Sequence, residues 1–176
     1  MFGLWEVGDE VNGKKNCVGF RNSMNKMISV GYTSVLTVLT CINQITHANW
    51  FVVRKHTSGL TVAELSELAI DAIERVVQDF GVTNAWHEEL KKFKLEKRRI
   101  EQLTVHAMRE EVMAPSKFKY FDELMFGSKD KEPTYDQTLY GFHGALTQLI
   151  RDTNFHVNVD MNRKITGFTN RIKKGH

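Results

Sequence analysis

Apolar and polar positions divide the chain near residue 60. Before it they form short strand-like runs, and after it longer runs at helical spacing. Asn12-Gly13, the strongest short hairpin signal, separates two such runs, about Trp5–Val11 and Asn16–Asn22. A loop from Met24 to Gly31 is expected next, then a strand over Ser34–Asn43. In that strand Val35, Thr37, Leu39 and Cys41 share one face, and Leu36, Val38, Thr40 and Ile42 the other. Apolar residues on both faces predict a central strand covered on both sides. Asn43–Asn49 reads as a connection and Trp50–Lys55 as the next strand.

A helix starts at Thr61. Thr61 and Glu64 make a Thr-x-x-Glu capping box, with Leu60 and Leu65 at hydrophobic-staple positions. Val62, Leu65, Leu68, Ala69, Ala72, Ile73, Val76 and Phe80 recur at helical spacing, and Gly81 reads as the stop. Thr83 or Asn84 would cap a second helix to about Lys94, and a third would cover about Glu96–Val112, before Pro115. Residues 115–133 read as a loop with a helical turn at Phe121–Phe126 and a flexible, protease-sensitive tip at 127–133. A fourth helix over about Tyr135–Arg151 would turn Leu139, Phe142, Leu146 and Ile150 inward. A short basic helix over Arg163–Lys173 follows, with fraying from Arg171 to His176. The fold class is therefore α+β in a single domain (1–176). A small, mostly antiparallel sheet (strand-rich 1–57) would pack against four or five helices (helical 61–170).

A length of 176 residues can bury a core without disulfides, and a hydrophobic share of 41% with a charged share of 26% is ordinary for a globular protein. The two cysteines, Cys17 and Cys41, form no metal-binding spacing and read as buried thiols in a reducing compartment. No secretory signal, no Asn-x-Ser/Thr sequon and no membrane-length apolar run is evident. The expected setting is a reducing cytoplasm, without a membrane partner. Net charge is only +3, but it is segregated. Residues 61–89 hold seven acids against Arg75 alone, and residues 91–119 hold nine bases against four acids. Such an arrangement can give a nearly neutral molecule a basic face, or can pair acidic with basic helices.

No catalytic motif is evident: there is no phosphate-binding glycine loop, no His-Glu-x-x-His and no nucleophile elbow. The seven histidines include no pair at i, i+3 or i, i+4, so neither a metal nor a cofactor is expected. A hydrolase built on His56 would need a carboxylate partner that the sequence does not identify. Arg54-Lys55-His56-Thr57 sets two cations, an imidazole and a hydroxyl at a strand end, suited either to phosphate or to a strand-to-loop junction. Lys91, Lys94 and Arg98 follow at i, i+3, i+7, beside Lys92, Lys97 and Arg99 and with Phe93 among them. This pattern suits a nucleic-acid backbone with base stacking, or an ordinary solvated helix face. With Arg21 and Lys26 added, the candidate nucleic-acid-binding set is Arg21, Lys26, Arg54, Lys55, His56, Lys91, Lys94 and Arg98.

Val-Gly-Phe-Arg-Asn-Ser-Met-Asn-Lys (18–26), Gly31, the Val38, Cys41 and Asn43 spacing, and Arg54-Lys55-His56-Thr57 together resemble domain of unknown function 932, a family associated with phages and plasmids. Leu139, Ala145 and Thr147 are similar to that family's C-terminal helix. The resemblance extends over nearly the whole chain, with a shorter N-terminus. It departs at Met24 and Asn25, where the family has His and Asp, and at Ile42, where a polar residue is frequent. The resemblance implies a mobile-element setting and no particular reaction. Strands followed by a helix, with a basic surface, also look like the single-strand annealing recombinases that phages encode, by analogy of fold. Two functions are expected on these grounds. The first is a non-catalytic accessory protein that binds nucleic acid, with single strands as one candidate form. The second is an inhibitor of a host defence protein such as a CRISPR or restriction nuclease. Homo-oligomers through a sheet edge are compatible with either.

Overall fold

The computed structural model describes residues 2–11, 14–21, 30–38, 43–54, 61–150 and 155–175. Strands β1 (Phe2–Val11), β2 (Lys14–Arg21), β3 (Val30–Val38) and β4 (Asn43–Arg54) form an antiparallel sheet in the order β1-β2-β3-β4. Helices α1 (Val62–Lys92), α2 (Lys97–Arg109), α3 (Phe118–Phe126), α4 (Leu139–Gln148) and α5 (Phe155–Lys173) follow, with a 3-10 turn at Pro115–Lys117. The architecture is α+β. The chain groups into two compact units, Met1–Thr83 and Asn84–His176, whose boundary falls inside α1.

In the first unit β1 pairs with β2, and Val11↔Lys14 is the register expected of a hairpin around Asn12-Gly13. An irregularity between Val7 and Val11 then shifts the ladder by two residues, so that Phe2 pairs with Arg21. Asn12 and Gly13 themselves lie outside the described set. Pairing on β3 starts at Val30, four residues before the expected Ser34, and β4 starts at Asn43 instead of Trp50. Leu36↔Ile45 and Thr37↔Gln44 account for the longer β4, because β-branched Ile45 and Thr46 continue the ladder through the expected connection. The helix-facing side of the sheet supplies Val7, Val18, Phe20 and Tyr32. The first part of α1 meets them with Leu65, Leu68, Ala69 and Ala72, at helical spacing. Trp5, Phe20 and Tyr32 pack across three strands, Trp5 stacked on Phe20 with ring centroids 5.6 Å apart and Phe20 tilted against Tyr32 at 5.3 Å.

The capping box forms as expected: Thr61 N donates to Glu64 Oε2 at 2.9 Å, and Glu64 N donates to Thr61 Oγ1 at 3.3 Å. Leu60, the other half of the staple, lies outside the described residues. Gly81 does not stop the helix. A C-terminal glycine stop needs a positive φ, which Gly81 lacks, and α1 continues through the expected Thr83/Asn84 cap to Lys92. Burial of Thr83, His87 and Leu90 holds this continuation in place.

The second unit has a core of Leu90, Ile100, Leu103, Met113, Phe121, Leu124, Met125, Phe142, Leu146, Ile165 and Phe168, among others. Leu139, Phe142, Leu146 and Ile150 are all buried, as the spacing requires. Helix α4 begins at Leu139 instead of Tyr135, because Thr138 is the N-cap and its Oγ1 accepts from Gly141 N at 3.0 Å. The expected tip at 127–133 contains a hydrogen-bonded turn. Ser128 N donates to Lys131 O at 2.8 Å, and Gly127 at φ 77° supplies a conformation that side chains resist. Helix α5 begins eight residues before the expected Arg163 and stays helical to Lys173. The expected fraying from Arg171 is displaced because Ile172 packs against the core and Trp86 Nε1 donates to Asn170 Oδ1 at 2.8 Å.

Candidate nucleic-acid interface and an adjoining cleft

Two of the expected site residues close strands at one end of the sheet. Arg21 occupies a rung with Gly31 and Val53, and Arg54 the next rung, opposite Val30. Strand spacing puts β2 and β4 about 10 Å apart across β3. Lys26, Lys55 and His56 lie outside the described residues, as does Cys41, whereas Cys17 is buried in β2.

Lys91, Lys94 and Arg98 belong to the second unit, but not to one helix face. Helix α1 ends at Lys92 and α2 begins at Lys97, with Lys94 in an extended bridge to Thr138. Leu95 N donates to Gln137 O, and Leu139 N donates to Phe93 O, each at 2.8 Å. These bonds take the place of the i→i−4 bonds that would have continued a helix, and they fix residues 93–96 against the start of α4. Buried Leu90 and Ile100 flank the basic segment, and half-buried Leu95 anchors its middle.

Six cations (Lys91, Lys92, Lys94, Lys97, Arg98 and Arg99) are thus exposed within nine residues, with Phe93 partly exposed among them. They are not equally available. Lys91 Nζ lies 2.7 Å from Glu88 Oε1 and 5.2 Å from the Tyr140 ring centre, and Lys97 Nζ lies 5.1 Å from the Phe126 ring centre. Among the described residues no carboxylate reaches ion-pair distance of Lys94, Arg98 or Arg99. Lys91 and Lys92 close α1, where cations suit the helix dipole, whereas Lys97, Arg98 and Arg99 open α2, where they oppose it. The first turn of α2 contains no acidic residue, and the Glu96 side chain caps no backbone N–H. A polyanion would relieve both the mutual repulsion and the unfavourable end of the helix.

Arg99 also opens onto a cleft of about 270 Å³ between α2 and α5. Leu103 and Phe168 give it an apolar wall, and Arg99, His106, Glu110 and Arg171 a polar rim. Arg171 pairs with Glu110, and its guanidinium carbon sits 5.9 Å from the Phe168 ring centre. Arg99, Leu103, His106 and Glu110 recur at i, i+4, i+7, i+11, which sequence could have shown as one helix face. Arg171 comes from another helix and carries no such signal.

His87 and His143, scattered in sequence, are both fully buried, with ring centres 6.2 Å apart. Trp86 meets His143 edge-on, Tyr140 meets His87 edge-on, and the Thr169 hydroxyl lies 3.0 Å from His143 Nδ1. They form part of an aromatic interior. Among the described residues no group of three or more His, Cys, Asp or Glu is placed to hold a metal ion. Nor is any helix there long and apolar enough to cross a membrane.

Comparison of the chain with protein-family models, with curated proteins and with solved structures gives no match.

Proposed function

We propose that the protein binds nucleic acid, single strands in particular, through the basic segment joining α1 to α2, and that it serves a phage or plasmid as a non-catalytic accessory factor. The run of exposed cations from Lys91 to Arg99, of which only Lys91 pairs with a carboxylate among the described residues, carries this reading. Phosphates would neutralise the cations with release of counterions, and Phe93 offers a face on which a base can stack. The resemblance to the phage- and plasmid-associated family supports the setting.

The test is salt dependence. With about five phosphates engaged, affinity for a single-stranded oligonucleotide falls about a hundredfold between 50 and 200 mM salt. Reversing Lys94 and Arg98 together to Glu weakens binding at low salt and flattens the slope. Fluorescence anisotropy reads both effects. Absence of binding at low salt, or an affinity indifferent to salt, overturns the proposal.

A second reading, inhibition of a host defence protein, draws support from α1 within the first unit. Ile70, Ile73 and Val77 make an exposed apolar stripe, with Glu67, Asp71 and Glu74 beside it. A purified defence nuclease inhibited by the wild type and by the Lys94/Arg98 reversal variant, but not by Ile70→Asp with Val77→Asp, would favour this reading over the first.

A further inference from the structure

We infer that the cleft between α2 and α5 takes a single unstacked base from the bound strand and prefers guanine. This rests on the nucleic-acid reading of the neighbouring basic segment, which runs into the cleft through Arg99. A volume of about 270 Å³ suits one base with its sugar. The apolar wall of Leu103 and Phe168 suits a flat ring, and the Arg171 guanidinium already lies over the Phe168 face.

The polar rim narrows the chemistry. A bare anion would suit Arg99 and Arg171 but would be repelled by Glu110. An apolar ligand would leave Arg99 unanswered and would gain nothing from the Arg171–Glu110 pair. A flat body with donors on one edge and acceptors on another answers them together. Guanine presents N1–H and the N2 amino group side by side, which one carboxylate accepts as a pair, and its O6 and N7 accept from an arginine. Adenine sets the N1 acceptor beside its amino group, so a carboxylate facing that edge meets a lone pair. Cytosine has the same defect at N3, and uracil offers one N–H between two carbonyls. Glu110 is therefore the discriminating group, Arg99 and Arg171 are the cations for O6 and N7, and Arg98 and Lys97 are near in sequence for the phosphate. The Arg171–Glu110 pair is exposed, and such pairs open at little cost.

Calorimetry on the full chain at low salt tests the assignment with GMP, AMP, CMP, UMP and inorganic phosphate as probes. GMP is expected to bind at least about tenfold more tightly than AMP, the scale of one good base-edge pair. Glu110→Gln should abolish that preference, and Arg99→Ala should weaken GMP. Both side chains are exposed, and circular dichroism verifies that each variant folds. Equal affinity for the four nucleotides, a GMP affinity matched by phosphate, or discrimination unchanged in Glu110→Gln overturns the inference. An oligothymidine, which contains no guanine, separates the two proposals. Salt-sensitive oligothymidine binding without GMP preference overturns the cleft assignment alone. GMP selectivity without oligothymidine binding overturns the strand-binding role and leaves the cleft as a mononucleotide site.

Discussion

Tyr32 donates its hydroxyl hydrogen to the Leu65 carbonyl at 3.3 Å, while its ring packs against Phe20 and Trp5. Burial pushes its phenol above the ordinary 10.0, since the phenolate would lose its hydration and face a carbonyl oxygen. A pKa raised in the folded state gives stability that is complete below the unfolded value and is lost as pH rises through the folded one. Tyr32→Phe should therefore cost about 0.5–1.5 kcal/mol near neutrality, through the lost hydrogen bond. The wild type's advantage should then narrow as pH rises above about 10, where the phenol ionises more readily in the unfolded chain. Urea unfolding of both proteins across that range measures it, and a gap independent of pH would refute the account. Nothing in the sequence around Tyr32 announced this role. It depends on the register that sets Tyr32 opposite Phe20 and on the helix that brings the Leu65 carbonyl to the Tyr32 hydroxyl.

Elements were legible where local chemistry acts alone. The Thr61–Glu64 box, the register around Asn12-Gly13 and the inward face of α4 each follow from neighbours a few residues apart. They were misread where a distant segment intervenes. Gly81 resembles a stop in sequence, yet residues 83, 87 and 90 are buried and keep the helix going. Lys91, Lys94 and Arg98 resemble one helical face, yet Gln137 and Leu139 draw residues 93–96 into an extended bridge. The same limit hid Arg171 from the cleft. Gly81 yields a prediction at this scale. It is exposed, lacks a positive φ, and an added Cβ would meet nothing within 4 Å. Gly81→Ala should stabilise the protein by about 1 kcal/mol, since alanine loses less backbone entropy in a helix interior. Thermal unfolding reads the gain, and a lower melting temperature would mean that α1 does not run unbroken past residue 81.

Across the whole molecule, the placement of charge matters more than its sum. A net charge of +3 predicts little attraction for a polyanion, but the acids concentrate over residues 61–89 and the bases over 91–119. Within a Debye length of about 8–10 Å at ordinary salt, a phosphate senses only the nearby cations. Two charge-reversal variants separate distribution from total. Lys94→Glu with Arg98→Glu and Arg163→Glu with Lys164→Glu each remove four units of charge, so both proteins carry −1 in place of +3. All four side chains are exposed, so neither pair disturbs a core. If binding follows the local field of the α1–α2 segment, the first variant loses at least about tenfold in affinity for a single strand at low salt. The α5 variant then stays within about threefold of wild type. Equal losses in the two, read by anisotropy at 50 mM salt, would mean that the strand responds to total charge and would remove the α1–α2 segment as its binding face.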